Sequence, residues 1–258
     1  MTLPGAASVA LAPVLSGPTR SVTVTASLSR ALYLATGDPR VPALCVAADA
    51  VRVPCAVLLG PGVPVPARPV GSPARIGDGR VEFGDHAVTV TRWWRPPRPR
   101  VRLSAVDARQ RALSAHTGAD AVYTLADRVL ADGDADRAVT ELLGRGEGLT
   151  PLGDDILSGT LVTLLAGGHP TGQLIASTVS AQLAARPGAT TAVSAALLTH
   201  AARGECIPEL AAVLTDPLES LDSAVEALLG VGHSSGSGLL YGVRKGLDVL
   251  TGPKGLVK

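Results

Sequence analysis

Two stretches of the chain combine glycines, small hydroxyls and proton-carrying side chains. The first reads Gly144-Arg145-Gly146-Glu147-Gly148-Leu149-Thr150-Pro151-Leu152-Gly153-Asp154-Asp155 and runs straight into an apolar helical pattern ending near Ala166. Glycines let the backbone turn its N–H groups toward a ligand, and a helix start adds partial positive charge, so this combination suits an anion. It is not a P-loop, because no Gly-Lys-Ser/Thr follows. Nor is it a dinucleotide fingerprint, because no strand precedes it. The second stretch, Gly230-Val231-Gly232-His233-Ser234-Ser235-Gly236-Ser237-Gly238, leads into a second helical pattern at 239–250 and adds an imidazole to the same design. If the two loops converge, they suit a small anion with several oxygens.

Asp154 and Asp155 fall in the first turn of their helix, where the helix dipole favours negative charge even without a ligand. A capped helix with an acidic first turn is therefore the plain reading. Paired acids also hold a divalent cation such as Mg²⁺ or orient a substrate amide. Adjacent helical residues point about 100° apart, so one of the two is expected to face a pocket. His233 can serve as acid, base or donor to developing charge, or simply bond a nearby carbonyl. His86 sits in a strand pattern, His116 in a linker, His169 after a glycine pair and His200 near a helix end, and no two have a metal-binding spacing. Cys45, Cys55 and Cys206 form no CxxC, and an odd number of cysteines suits free, buried thiols in a reducing compartment.

The elements that must position these loops follow from a division of the chain. Of 258 residues, 46% are hydrophobic but only six are aromatic, so the core is built from Ala, Val and Leu. The net charge of +1 hides two halves: 1–105 carries twelve arginines, no lysine and five acids, a net +7, while 106–258 carries a net −6. Fourteen of the twenty prolines also lie in the first part. We expect an α+β chain of two domains, a β-rich Arg/Pro-rich domain at 1–105 and an all-α domain at 106–258.

In the first, alternation at 21–26, 80–83 and 86–91 and apolar runs at 43–47 and 51–59 predict strands of a small barrel or sandwich, with a short helix at 28–35. In the second, seven or eight helices are expected, at 119–131, 136–143, 153–166, 172–184, 191–202, 208–215, 218–229 and 239–250. Thr150 before Pro151 and Asp216 before Pro217 read as N-caps, and Gly144, Gly167 and Gly204 as helix stops.

No apolar stretch reaches the roughly 20 residues that span a bilayer; the longest, 156–166, falls well short. The first twenty residues lack the basic start and unbroken apolar core of a secretory signal, so a cytoplasmic protein is expected. The segment Arg92-Trp93-Trp94-Arg95-Pro96-Pro97-Arg98-Pro99-Arg100 invites a nucleic-acid reading. Its prolines instead favour an extended connector clamped by the tryptophans, and no nucleic-acid partner is expected.

Gly146-x-Gly148-Leu149-Thr150-Pro151-x-Gly153-Asp154-Asp155, then Thr190-Thr191-x-x-Ser194 with Ala201-x-x-Gly204, then Gly232-His233-Ser234-Ser235-Gly236 with Gly242, resemble the AllH-type family, in order, over 143–250. That family includes a subunit of bacterial oxamate carbamoyltransferase. The resemblance implies carbamoyl transfer between phosphate and the nitrogen of oxamate, in allantoin catabolism through oxalurate. It also implies other subunits, one of them similar to acyl-CoA synthetases. The ligands it implies, carbamoyl phosphate, oxamate and oxalurate, are all small anions, and Mg²⁺ at the Asp pair is the one cofactor left open.

On that basis Gly146, Gly148 and Thr150 would bind phosphate or carboxylate, with Gly153 and Gly236 in the same loops. Asp154 or Asp155 would orient the transferring amide, and His233 with Ser234 and Ser235 would move protons or bind the second anion. The chain departs from the family pattern at Gly238, where relatives often carry Asp. The Ser-Thr-x-Thr motif of aspartate and ornithine carbamoyltransferases is absent, and His169-Pro170-Thr171-Gly172-Gln173 matches their His-Pro-x-Gln element only by chance. Two other classes remain: a noncatalytic anion-binding or scaffold subunit, and a Mg²⁺-dependent amide or glycoside hydrolase using the Asp pair.

Overall fold

A computed structural model describes residues 1–114, 120–131 and 133–252. His116 and the expected helix start at 119 lie outside the described residues. The chain forms two compact units: residues 1–97 with 191–200, and the described residues of 98–190 and 201–258.

The first unit is built on eight strands: β1 (Thr2–Ser8), β2 (Arg20–Leu28), β3 (Ala31–Asp38), β4 (Val41–Ala47), β5 (Ala56–Leu59), β6 (Pro73–Gly77), β7 (Arg80–Phe83) and β8 (His86–Trp94). They close into a barrel in the order β1-β5-β4-β3-β2-β6-β7-β8, with β1/β8 and β4/β5 parallel and the other pairs antiparallel. Closure leaves no sheet edge. A short helix, α1 (Ala12–Leu15), contributes Val14 and Leu15 to a core that includes Leu32, Leu34, Leu44, Ile76, Val81 and the chain's one phenylalanine, Phe83.

The helix expected at 28–35 is instead the end of β2, a turn at Ser29 and Arg30, and the start of β3. Ala31 to Leu34 are buried on both faces and pair with β2 on one side and β4 on the other, so no polar alternation marks the strand. Cross-strand pairing overrides the helix propensity of Ala and Leu. The run at 51–59 is strand only from Ala56. Strands β1 and β6 were hidden by Pro4, Gly5, Pro73 and Gly77. Gly5 sits where the β1/β8 register shifts, and a Cβ there would lie 2.6 Å from Val88 Cγ1. The expected connector at 92–100 also begins later: Arg92, Trp93 and Trp94 are strand residues, paired with Ala6, Ala7 and Ser8.

The helices after the barrel are α2 (Val106–Leu113), α3 (Ala121–Ala131), α4 (Ala135–Leu142), α5 (Leu152–Ala166), α6 (Pro170–Ala185), α7 (Ala192–Ala201), α8 (Pro208–Thr215), α9 (Leu221–Leu229) and α10 (Ser235–Thr251). All of α7 but its last residue falls within 191–200 and so belongs to the first unit. Sequence periodicity misses α2 because the buried position between Val106 and Leu113 is an arginine. Arg109 donates to the carbonyls of Val213 (2.6 Å) and Asp216 (2.5 Å), tying off the end of α8.

Helix α5 is buried from Gly153 to Thr163 without a polar face, as a central helix must be. Helix α10 lies along it through a seam of small residues. A Cβ on Gly238 would lie 2.8 Å from Asp155 Cβ, one on Gly242 2.2 Å from the Ile156 carbonyl oxygen, and one on Gly246 2.6 Å from Thr163 Cβ. The spacing of four keeps all three glycines on one face, and the facing Gly159 would meet the Leu239 carbonyl at 2.2 Å. This seam brings the start of α10 against the start of α5.

Candidate functional site

The first glycine-rich stretch joins α4 to α5 as a compact turn. Gly144 (φ 72°), Gly146 (φ 112°) and Gly148 (φ 90°) are left-handed, whereas Arg145 and Glu147 are not among the positive-φ residues. This alternation of φ is the pattern of backbone nests, in which successive N–H groups converge on an anion. Residues 145–148 are exposed, while the Gly144 and Arg145 amides donate to Asp154 Oδ1 (2.7 Å) and the Leu142 carbonyl (2.9 Å).

The helix start behind it is closed by the protein itself. Gly153 N–H donates to the Arg145 carbonyl (2.8 Å), and the amides of Asp154 and Asp155 donate to Pro151 O (2.9 and 3.2 Å). The N-cap of α5 is Pro151 without a side-chain cap, not Thr150. The freed Thr150 hydroxyl shares a hydrogen bond with Ser235 Oγ (2.7 Å). That bond joins the two glycine-rich stretches: Thr150 comes from the first and Ser235 opens α10 from the second.

Both aspartates are buried, Asp154 at 1% and Asp155 at 5% exposure, and they differ in their partners. Asp154 Oδ1 accepts from Gly144 N–H (2.7 Å), and Oδ2 accepts a short bond from the Thr190 hydroxyl. Asp155 is hydrogen-bonded by Ser235 and Thr150, while its Oδ2 is buried without a partner. Burial pushes the Asp155 carboxyl up to about 8; the neighbouring Asp154 adds to the shift, and the Ser235 and Thr150 hydroxyls oppose it. At neutral pH Asp155 is a carboxylic acid with a proton to donate.

Sequence spacing did not reveal Tyr123, whose phenol is pushed up by burial and then by the charges of Asp120 and Asp155. Its ring packs on Tyr241 of α10, with centroids 4.6 Å apart. No local signal in α3 marks it, because the packing of α3 on α10 places it there.

The second stretch contributes less than its composition implies. Ser235, Gly236, Ser237 and Gly238 are not loop residues but the first turn of α10. Gly236 is a packing residue, since its Cβ position lies 2.0 Å from the Leu228 carbonyl oxygen. Ser234 is the N-cap of α10 without a side-chain cap bond, and both it and His233 are exposed in the preceding turn. The motif residues Thr191 and Ser194 lie at the start of α7 in the other unit, where Ser194 N–H donates to the capping Thr191 Oγ1 (3.0 Å). Among the described residues no group of three His, Cys, Asp or Glu side chains is placed to hold a metal ion.

Residues 142–247 match the family model described as oxamate carbamoyltransferase subunit AllH. No curated protein and no solved structure matches the chain. The AllH match begins at the last residue of α4 and ends inside α10, so it encloses the nest, both aspartates, Thr190 and Ser235. It leaves the eight-stranded barrel outside. Gly238 stands with its Cβ position 2.8 Å from Asp155 Cβ and 2.9 Å from Leu152 Cδ1. The packing of α10 on α5 leaves no space for a carboxylate.

Among the described residues no helix is long and apolar enough to cross a membrane. The three cysteines are free and buried.

Proposed function

We propose that this chain is a catalytic subunit of an oxamate carbamoyltransferase-like enzyme, interconverting oxalurate plus phosphate with oxamate plus carbamoyl phosphate. The observation that carries the reading is the buried, neutral Asp155 beneath the Thr150–Ser235 hydroxyl pair, beside a backbone nest. Phosphate oxygen attacks the carbamoyl carbon of oxalurate, and a tetrahedral oxyanion forms. The carbon–nitrogen bond then breaks, and the oxamate nitrogen leaves with a proton.

The amides of Gly146 and Gly148 hold the anion without adding a cation, which suits a site that must also release it. Thr150 and Ser235 donate to substrate oxygens, and Asp155 supplies the proton to the departing nitrogen. His233 and Ser234, exposed ahead of α10, would bind the second anion or exchange the proton with solvent. The partners of this reading are the small anions themselves and the other carbamoyltransferase subunits, including an acyl-CoA synthetase-like chain. The cytoplasm is the proposed compartment, supported by the free, buried thiols.

A Mg²⁺-dependent hydrolase would need the two carboxylates to share an ion. Asp154 instead spends its oxygens on Gly144 and Thr190, and Asp155 is protonated at neutral pH. A noncatalytic anion-binding subunit would use the same nest, and what separates it from the catalytic reading is the need for Asp155.

The test is phosphate-dependent loss of oxalurate by the purified chain, alone and with its partner subunits. Turnover that requires the partners and disappears in Asp155→Asn is expected. Turnover unchanged by Asp155→Asn would assign the chain a binding role.

A further inference from the structure

The start of the glycine loop is held by a contact that reaches it from outside the α4–α5 hairpin. Gly144 donates its N–H to Asp154 Oδ1 (2.7 Å), and the other oxygen of that buried carboxylate is taken by the Thr190 hydroxyl, 36 residues further along the chain. On its other side, Gly144 lies so close to the segment before Thr190 that a Cβ would fall 2.0 Å from the Ala189 carbonyl oxygen. The residue that begins the alternating φ pattern is thus pinched between Asp154 and the 189–190 backbone. A second constraint, Gly153 N–H to Arg145 O (2.8 Å), fixes the next residue to the helix start.

We propose that Thr190 is a positioning residue: through Asp154 it fixes the Gly144 amide, and so the curvature with which the 144–148 backbone meets a small anion. This rests on the anion-binding part of the function proposed above, while the bracing of the loop stands on the hydrogen bonds alone. It gives Asp154 a different task from Asp155. Asp154 is occupied at both oxygens by the protein, so it shapes the loop and touches no substrate, whereas Asp155 keeps a buried oxygen without a partner. Replacing Thr190 by valine keeps the shape but removes the donor, leaving Asp154 Oδ2 facing a methyl group. The carboxylate then loses its anchor, and the Gly144 amide loses a fixed acceptor.

The experiment is hydrogen exchange over 143–150 on the full chain, together with calorimetric titration with inorganic phosphate, for Thr190→Val, Thr190→Ser and Asp155→Asn. Thr190→Val should speed exchange in that segment and weaken phosphate by about tenfold each, the scale of one hydrogen bond to a charged group. Thr190→Ser should restore both, a rescue that packing alone does not give. Asp155→Asn, which touches Thr150, should leave exchange over 143–148 unchanged. Wild-type exchange rates in Thr190→Val would overturn the proposal. If the wild-type chain binds no phosphate, the anion-binding reading fails, while the exchange rates still decide the role of Thr190. Should Thr190→Val not fold, Thr190→Ala carries the same measurements with room for a water at Asp154.

Discussion

Asp155 ties the site's chemistry to the protein's stability. Its carboxyl titrates at about 8 in the folded chain against an ordinary 3.8, so the folded state holds a proton that the unfolded state releases above pH 4. Stability contributed by this group is fully present below about pH 4 and declines as pH rises toward 8. It levels off above 8, where both states are ionised. The slope in that window is roughly 1.4 kcal/mol per pH unit. Urea unfolding across this range should therefore show wild type losing ground to Asp155→Asn, which cannot ionise; parallel curves would mean that Asp155 is already charged. The same proton governs turnover. If Asp155 donates to the departing nitrogen, oxalurate loss should fall about tenfold per unit above pH 8, and a rate that rises through pH 8 would require Asp155 to act as a base.

Much of this was legible in sequence, since the Gly-Leu-Thr-Pro-x-Gly-Asp-Asp element singles out both acids. Their division of labour was not, because it depends on Thr190 and Ser235, which reach them from 36 and 80 or more residues away. One-dimensional spacing also predicts that only one of two adjacent aspartates turns inward. Both are buried, since α5 is surrounded on every side.

At the scale of elements, the seam between α5 and α10 decides where the site can be. Glycine inside a helix costs about 1 kcal/mol relative to alanine, so a helix that keeps it at 238, 242 and 246 is spending stability on close approach. Gly242→Ala would gain that propensity but place its methyl 2.2 Å from the Ile156 carbonyl oxygen and 2.7 Å from Thr160 N. Both are backbone atoms that cannot step aside. The clash wins, and a net loss of about 1–3 kcal/mol is expected in chemical denaturation. A variant as stable as wild type would show that the helices separate freely. Gly238→Asp should destabilise by a similar amount, because it also crowds Asp155 with a second carboxylate.

The helix pattern at 239–250 was readable as a helix, but its true start at Ser235 was not. Serine and glycine in the first turn look like loop, and only packing against Leu228 and Asp155 makes them helical. The error at 28–35 has the same origin, because residues buried on all sides carry no periodicity to read.

For the whole molecule, the uneven charge outlasts the local pairing. Three of the five acids in residues 1–105 are engaged with arginines: Asp38 with Arg20 and Arg40, Asp85 with Arg68, and Glu82 with Arg75. The excess of arginine is carried on the surface by residues such as Arg30, Arg52, Arg80, Arg92 and Arg95. The barrel lies outside the AllH match, yet the subunit role proposed above requires some face for partners. A field of fixed arginines steers an acidic surface toward it and is screened by salt. If the barrel docks partner subunits in this way, raising salt from about 50 to about 500 mM should weaken assembly, chiefly by slowing association. Surface plasmon resonance with immobilised chain would read that rate directly, and Arg92→Gln with Arg95→Gln should lower it at low salt. A rate indifferent to salt would place the docking face on apolar surface instead.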